Sequence, residues 1–448
     1  MEGIKPYEKY KDSGIPWLGL IPEQWQVRKL KYSLKINNGA DYKHIQCENG
    51  YPVIGSGGQF AFANDFMFDG EVVFLGRKGT IDKPLYFKGK FWAVDTMFYA
   101  NSKRGNSVKF HFYVSTQIPF KLYSTSTALP SMTQSDLKEH YLAYPSINEQ
   151  TAIANFLDYK TAKIDRFIFK KKQLIKLLNE QKAVIINNAV TKGLNPNAKM
   201  KPSEVKWLGD IPEQWEVRKL KGICNAFGRI GFRGYKTTDL VNQGEGAITI
   251  SPSNMKYNFM TFDKCTYLNW GKYEESPEIK IFNEDIIMVK TGSTYGKVGI
   301  VKNLDQEATI NPQLLVLKNI KINPDYLYFL LKSNFVQSQV KTEVIGSTIP
   351  TISQTKILNF NIVTPPEFEI ENILIYIEKE TSIINKIIAT IEKEIALVQE
   401  YRTALIAEAV TGKIDVREYK VPSFEVDKEY AEMEEEVGLV AEDGEEID

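Results

Sequence analysis

Two stretches of the chain keep a heptad spacing of apolar side chains over many residues. In the later one Ile384, Ile388, Ile391, Ile395, Val398, Leu405 and Ala409 follow a four-three spacing, broken where Arg402 takes a seam position. In the earlier one Ile164, Ile168, Ile175, Leu178, Ile185 and Ala189 hold the same register, with Lys171 and Lys182 as interruptions. That period predicts long helices with an apolar seam. Neither stretch contains an internal Pro or Gly, and Gly193 and Gly412 stand where a left-handed cap would end each helix. About 40 residues at 1.5 Å rise give ~60 Å per helix. A stripe that long needs a partner, and two matching stripes are expected to pair with each other. The alternative is that each helix packs on its own neighbouring module.

Elsewhere the pattern changes to short apolar runs. "EVVFL" (Glu71–Leu75) and "DIIMVK" (Asp285–Lys290) read as strands, followed by the glycine-bearing turns "GRKGT" (Gly76–Thr80) and "TGSTYGKVG" (Thr291–Gly299). The fold class expected is therefore α+β, mixed helix and strand.

The chain also repeats itself. "WLGLIPEQWQVRKLK" (Trp17–Lys31) and "WLGDIPEQWEVRKLK" (Trp207–Lys221) agree at thirteen of fifteen positions, 190 residues apart. "LPSMTQSDL" (Leu129–Leu137) matches "IPTISQTKI" (Ile349–Ile357) at an offset of 220, which also aligns Glu149 with Glu369 and "AVT" at Ala189–Thr191 with "AVT" at Ala409–Thr411. Two tandem copies of one unit follow, the second carrying 30 extra residues between its anchors. Two repeats are too few for a solenoid and fit two globular modules, each followed by a helix. The tryptophan-rich segment reads as a structural clasp whose tryptophans anchor it by burial.

Composition refines the picture at three points. The zero net charge hides an acidic end: Asp427–Asp448 holds eleven acids and one lysine, leaving the rest of the chain about +10. Such a tail is expected to be disordered and solubilising, and a weakly basic body is a modest hint of nucleic acid. Cys47, Cys224 and Cys265 are odd in number and far apart, which reads as reduced structural thiols. No apolar run is long enough to span a bilayer, and "MEGIKPYEKYKDSG" lacks a signal-peptide core, so a cytoplasmic protein without membrane association is expected.

Catalytic motifs fail one by one. "GSTYGKV" at Gly292 departs from a P-loop at its last position, and no dinucleotide fingerprint follows a strand. "NPQL" at Asn311 and "NPDY" at Asn323 lack the second proline of an adenine methyltransferase motif. "EIK" at Glu278–Lys280 has no convincingly placed second acid, and His44, His111 and His140 are in no ligand spacing. The expectation is a chain without catalysis or bound cofactor of its own.

Where the copies diverge they carry polar loops. "NNGADYKHIQ" (Asn37–Gln46) stands where the second copy has "FGRIGFRGYK" (Phe227–Lys236). Arginine can take guanine bidentately, Asn and Gln can take adenine, and lysine holds phosphate. One frame with different loops is what reading two unlike sequences would require, although loops free to drift would also differ. Candidate DNA contacts are Lys43, Gln59, Arg77, Lys78, Thr133 and Gln134 in the first module. In the second they are Arg229, Arg233, Lys236, Lys290, Ser293, Lys297 and Gln354.

The tryptophan-rich segment, the glycine-bearing turn after a strand, the Pro-(Ser/Thr)-x-(Ser/Thr)-Gln stretch and the long helix ending in "AVT" together resemble the specificity subunit of type I restriction–modification systems. The likeness covers nearly the whole chain in duplicated order. It implies two target-recognition domains, each reading half of a bipartite asymmetric site, separated by two long helices that form an antiparallel spacer with pseudo-twofold symmetry. The corresponding division is an N-terminal arm (1–15), recognition domains at 16–148 and 207–366, spacer helices at 149–192 and 367–411, a linker at 193–206 and a C-terminal segment at 412–448. The resemblance further implies double-stranded DNA, two modification subunits and restriction subunits as partners. Those subunits would supply S-adenosylmethionine-dependent adenine methylation and ATP- and Mg-dependent translocation and cleavage. A coiled-coil scaffold without DNA preference and a standalone DNA-modifying enzyme are the competing readings. The acidic tail has no place in the family pattern.

Overall fold

The computed structural model describes residues 5–123, 130–256, 260–344 and 350–422; the acidic segment from Asp427 lies outside them. The chain divides into two compact units, Met1–Lys172 with Ile391–Asp448, and Gln173–Thr390. Each unit combines a mixed sheet module with part of two long helices, Ile147–Lys192 and Glu367–Val410, of 46 and 44 residues.

In the first unit a seven-stranded sheet runs in the order Leu34–Asn38, Met97–Ser102, Phe68–Gly76, Leu85–Ala93, Tyr51–Gly55, Gly58–Ala63, Gln46–Cys47. Val72, Phe74, Phe91 and Met97 form its core. In the second unit two four-stranded sheets replace it. One contains Asn225–Gly228, Leu314–Lys318, Ile286–Val289 and Val298–Ile300, and the other Leu240–Val241, Thr266–Asn269, Gly246–Ile250 and Ala308–Ile310. The strands are short, and runs such as Ile286–Val289 bury every side chain.

The helix seam forms through its polar interruptions as well as its apolar positions. In the first unit Arg402 makes a two-pronged ion pair with Asp165 at 2.9 and 3.1 Å, and Lys171 meets Glu394 at 2.7 Å. As one partner rises from 165 to 171 the other falls from 402 to 394, so the helices run antiparallel there. In the second unit Lys182, only 6% exposed, donates to Asn385 Oδ1 at 3.0 Å. Burial pulls its pKa down, with Lys332 contributing further.

The clasp is built the same way in both units. Trp25 is fully buried and its Nε1 donates to Glu149 Oε1 at 3.0 Å, in the first turn of the first long helix. Trp215, also fully buried, donates to Glu369 Oε2 at 2.8 Å in the first turn of the second. Each indole also closes on the far end of the other helix. A side chain at Gly412 would collide with Pro22 and crowd Trp25, and one at Gly193 would crowd Trp215. The Tyr7 hydroxyl also donates to Glu149 (2.6 Å), and Lys5 pairs in β-bridge fashion with Asp415. The other tryptophans of the motif depart from the expected burial: Trp17 is 43% and Trp207 47% exposed. They lie outside the clasp core, Trp17 stacked on His140 at 5.6 Å.

Two predictions follow from this packing. Trp25→Phe removes both the donor to a buried carboxylate and the outer ring that meets Gly412, which should cost at least about 1–3 kcal/mol and lower the urea midpoint, as should Trp215→Phe. Burial depresses the His140 pKa from 6.5 to about 4. A folded-state pKa below the unfolded value means stability is lost as pH falls from about 6.5 toward 4. His140→Phe, which installs the residue found at the matching Phe360, should flatten that part of the acid-unfolding profile by on the order of 2–3 kcal/mol. Unaltered acid sensitivity would exclude the assignment.

Candidate nucleic-acid interface

A single backbone frame appears in each unit at the end of an interior strand, Phe68–Gly76 or Ile286–Val289. In the first unit Arg77 N donates to Thr96 O (2.8 Å), Met132 N to Arg77 O (3.0 Å) and Gly79 N to Pro130 O (2.9 Å). In the second Lys290 N donates to Gln313 O (2.9 Å), Ile352 N to Lys290 O (2.9 Å) and Gly292 N to Pro350 O (3.0 Å). Lys78 bridges Ser131 as Thr291 bridges Thr351. Gly79 and Gly292 both have φ in the left-handed region, +80° and +108°, which their tight turns require. Arg77 and Lys290 are therefore equivalent cations. They are held where the turn after a strand meets the Pro-(Ser/Thr)-x-(Ser/Thr)-Gln stretch.

The sequence candidates separate into outward and inward groups. In the first unit Arg77 and Lys78 are exposed on that turn. Lys43 is exposed on a one-turn helix (Lys43–Ile45), and Gln59 is exposed opposite Ile54, where the strand register shifts. Thr133 and Gln134 adjoin Arg77 through Pro130–Met132 but have structural work. Thr133 caps the helix Gln134–Glu139 in a capping box with Asp136. Gln134 Nε2 donates to Ile36 O at 2.9 Å, and Gln354 Nε2 repeats this bond to Ala226 O at 2.6 Å. These two glutamines pin the frame to the strand that leads into each divergent loop.

Arg229 turns inward. It is 5% exposed, and its guanidinium donates to Ile310 O (3.1 Å), Thr309 Oγ1 (2.9 Å) and Arg233 O (3.4 Å), with Tyr235 at 5.3 Å. It buttresses the Phe227–Lys236 loop from beneath. Arg233 forms an ion pair with Glu278 at 3.3 Å, which also gives "EIK" a structural role. Lys236 and Ser293 are exposed. Lys290 is half-buried beside Gly228, and desolvation lowers its pKa. Lys297 is lowered first by desolvation, then by Lys256 and Lys332, neither of which the sequence singled out. A cluster of like charges of this kind favours an anion nearby.

Four further exposed or half-exposed residues belong to the frame: Asp95 and Thr96 in the first unit, Asn311 and Gln313 in the second. Asn311 drew notice only as a failed methyltransferase motif. Among the described residues no group of His, Cys, Asp and Glu could hold a metal ion, and no helix is long and apolar enough to cross a membrane.

The family model described as type I restriction modification DNA specificity domain matches twice, at residues 22–177 and 212–396. The chain is 24% identical over 353 residues to the type I restriction enzyme MjaVIII specificity subunit of Methanocaldococcus jannaschii, covering 77% of this chain and 76% of that one. It is 21% identical over 424 residues to the type I restriction enzyme EcoDI specificity subunit of Escherichia coli, covering 88% and 90%. A structure described under complex assembly and conformational transition of the type I R-M system superposes with a TM-score of 0.62 at 12% identity, covering 87% of this chain and 98% of that one.

The inward Arg229 carries its own prediction. Arg229→Ala leaves Ile310 O and Thr309 Oγ1 without a buried donor and should lower stability by about 2–4 kcal/mol. Lys236→Ala, at an exposed position, should stay within about 0.5 kcal/mol. Thermal unfolding of the two variants checks the contrast.

Proposed function

The chain belongs to the DNA specificity family of type I restriction–modification systems, and from that premise we propose that it directs modification and restriction subunits to a bipartite, asymmetric site in double-stranded DNA. The observation that carries this reading is the frame built twice from the same backbone bonds, with different side chains exposed on it. Each unit reads one half-site. Exposed Lys43, Gln59, Arg77 and Lys78 contact DNA in the first unit; Lys236, Ser293, Lys290 and Lys297 do so in the second. The lysines neutralise phosphates, and their contribution falls as salt rises. Arg77 has the fork geometry for a guanine edge.

The helices set the gap between half-sites, about one turn of duplex (~34 Å) when both halves face the same side. They also seat two modification subunits. Leu174, Leu177, Val184, Ile383 and Ile387 in the second unit and Phe167, Leu397 and Tyr401 in the first leave apolar surface on the helices' outer faces. The chemistry, S-adenosylmethionine-dependent methylation and ATP- and Mg-dependent cleavage, belongs to the partner subunits acting in the cytoplasm.

Mapping methylated adenines genome-wide, in cells holding the partner subunits with and without this chain, tests the reading. Removing one heptad, about 10 Å of rise, from each helix should shorten the unspecified gap by about three base pairs. A gap unchanged by that edit would refute the spacer role. A coiled-coil scaffold predicts methylation that ignores the chain's presence, and a standalone enzyme predicts activity from the purified chain with metal and methyl donor.

A further inference from the structure

One tight turn occupies the same place in both units and carries different chemistry. Ala93 pairs in parallel with Ile54, and Ile310 with Ile250. From these strand ends Val94 N donates to Ile54 O (3.2 Å) and Asn311 N to Ile250 O (2.9 Å). The turns then close alike, Met97 N to Val94 O (2.9 Å) and Leu314 N to Asn311 O (3.2 Å). Thr96 O and Gln313 O accept the backbone N–H of the equivalent cations Arg77 and Lys290. Every one of these bonds is made by main-chain atoms, so none of them dictates the side chains.

The side chains at the turn bond at most to one another: in the second unit Asn311 Oδ1 accepts from Gln313 N at 3.0 Å. Among the described residues the Asp95 carboxylate and the Thr96 hydroxyl have no hydrogen-bond partner. In the second unit Asn311 Nδ2 donates to Gln313 Oε1 at 3.2 Å, which joins two amides and leaves Gln313 Nε2 for another acceptor. That nitrogen sits 3.6 Å from where a β-carbon on Gly292 would stand, in the space the glycine keeps open. In the first unit Arg77 Nη1 donates to the main-chain O of Asp95 at 3.3 Å, which holds the guanidinium against the turn and leaves its other N–H groups for a ligand.

We propose that these turns are base-reading elements, Val94–Met97 addressed to a G·C pair and Asn311–Leu314 to an A·T pair. The assignment rests on the DNA-recognition reading above. A guanine edge presents two acceptors in the major groove and its cytosine an amino donor. Arg77 supplies donors for the first and Asp95 an acceptor for the second. Adenine presents one acceptor and one donor, which a carboxamide matches on its own. Gln313, steadied by Asn311, fills that role, and Lys290 beside it serves the backbone. The two halves of the site then differ in chemistry while the main chain that aims the readers stays the same.

The test is enrichment of randomised duplexes by the full chain assembled with its modification subunits. Wild type, Asp95→Asn, Gln313→Ala and the near-isosteric Gln313→Glu are compared, with thermal unfolding as the folding control. Asp95→Asn should lose preference for one G·C pair by roughly tenfold to a hundredfold in one half-site and leave the other half intact. Gln313→Ala should lose one A·T pair in the opposite half, and Gln313→Glu should shift that position toward cytosine. Folded variants with wild-type selectivity at every position would overturn the assignment, as would loss of the opposite base-pair type. If wild type enriches no sequence, the DNA-recognition reading itself falls and takes this one with it.

Discussion

A buried indole N–H must find an acceptor, and in this protein that requirement fixes the start of each long helix. Trp25 finds Glu149 and Trp215 finds Glu369, in each case on the opening turn of a helix, where a carboxylate also suits the exposed N–H groups. The same ring lies against a glycine at the end of the other helix, Gly412 or Gly193. One side chain thus ties a helix start to a helix end and both to the sheet module. The near-verbatim repetition of the clasp follows from this double duty, because bulk at the glycine or loss of the carboxylate would open the joint. In the first unit the joint also gathers Tyr7 and the residues around Asp415, so chain segments as far apart in sequence as Lys5 and Asp415 are held by side chains and a β-bridge.

Between those fixed ends, the seam depends on its polar breaks. Apolar heptads alone tolerate a slip by one repeat, since any isoleucine fits the hole left by another. Arg402 with Asp165 and Lys171 with Glu394 are satisfied at one alignment only. Lys182 adds a third constraint: it is buried, and a slipped helix would take the Asn385 acceptor away from it.

Much of this was legible in the sequence because it is periodic or repeated. The seam positions, their interruptions, the capping glycines and the pairing of Glu149 with Glu369 could be read from spacing alone. What escaped has a common physical reason. Whether a polar side chain bonds inward or outward depends on neighbours that sequence does not place. Gln134, Gln354 and Arg229 look like readers by type, yet each donates to main-chain carbonyls of its own module. Trp17 and Trp207 look like anchors, yet only their later companions Trp25 and Trp215 are buried. The equivalence of Arg77 with Lys290, and of Val94 with Asn311, left no trace in identities. The offset there lies between 190 and 220, and the shared bonds are made by backbone atoms.

Backbone bonding of this kind lets such a molecule change its target without losing its fold. A reader held by side-chain packing could not be replaced without repacking what surrounds it, at a typical cost of 1–3 kcal/mol. A reader held by backbone bonds on either flank escapes that constraint, because Asp, Thr, Asn or Gln all offer the same N–H and C=O. The glycine opposite keeps room in front of the turn, and the inward glutamine fastens the neighbouring strand from behind. Stability is thereby lodged in atoms common to both copies, and selectivity in atoms that differ between them. The two functions can vary independently at positions one bond apart.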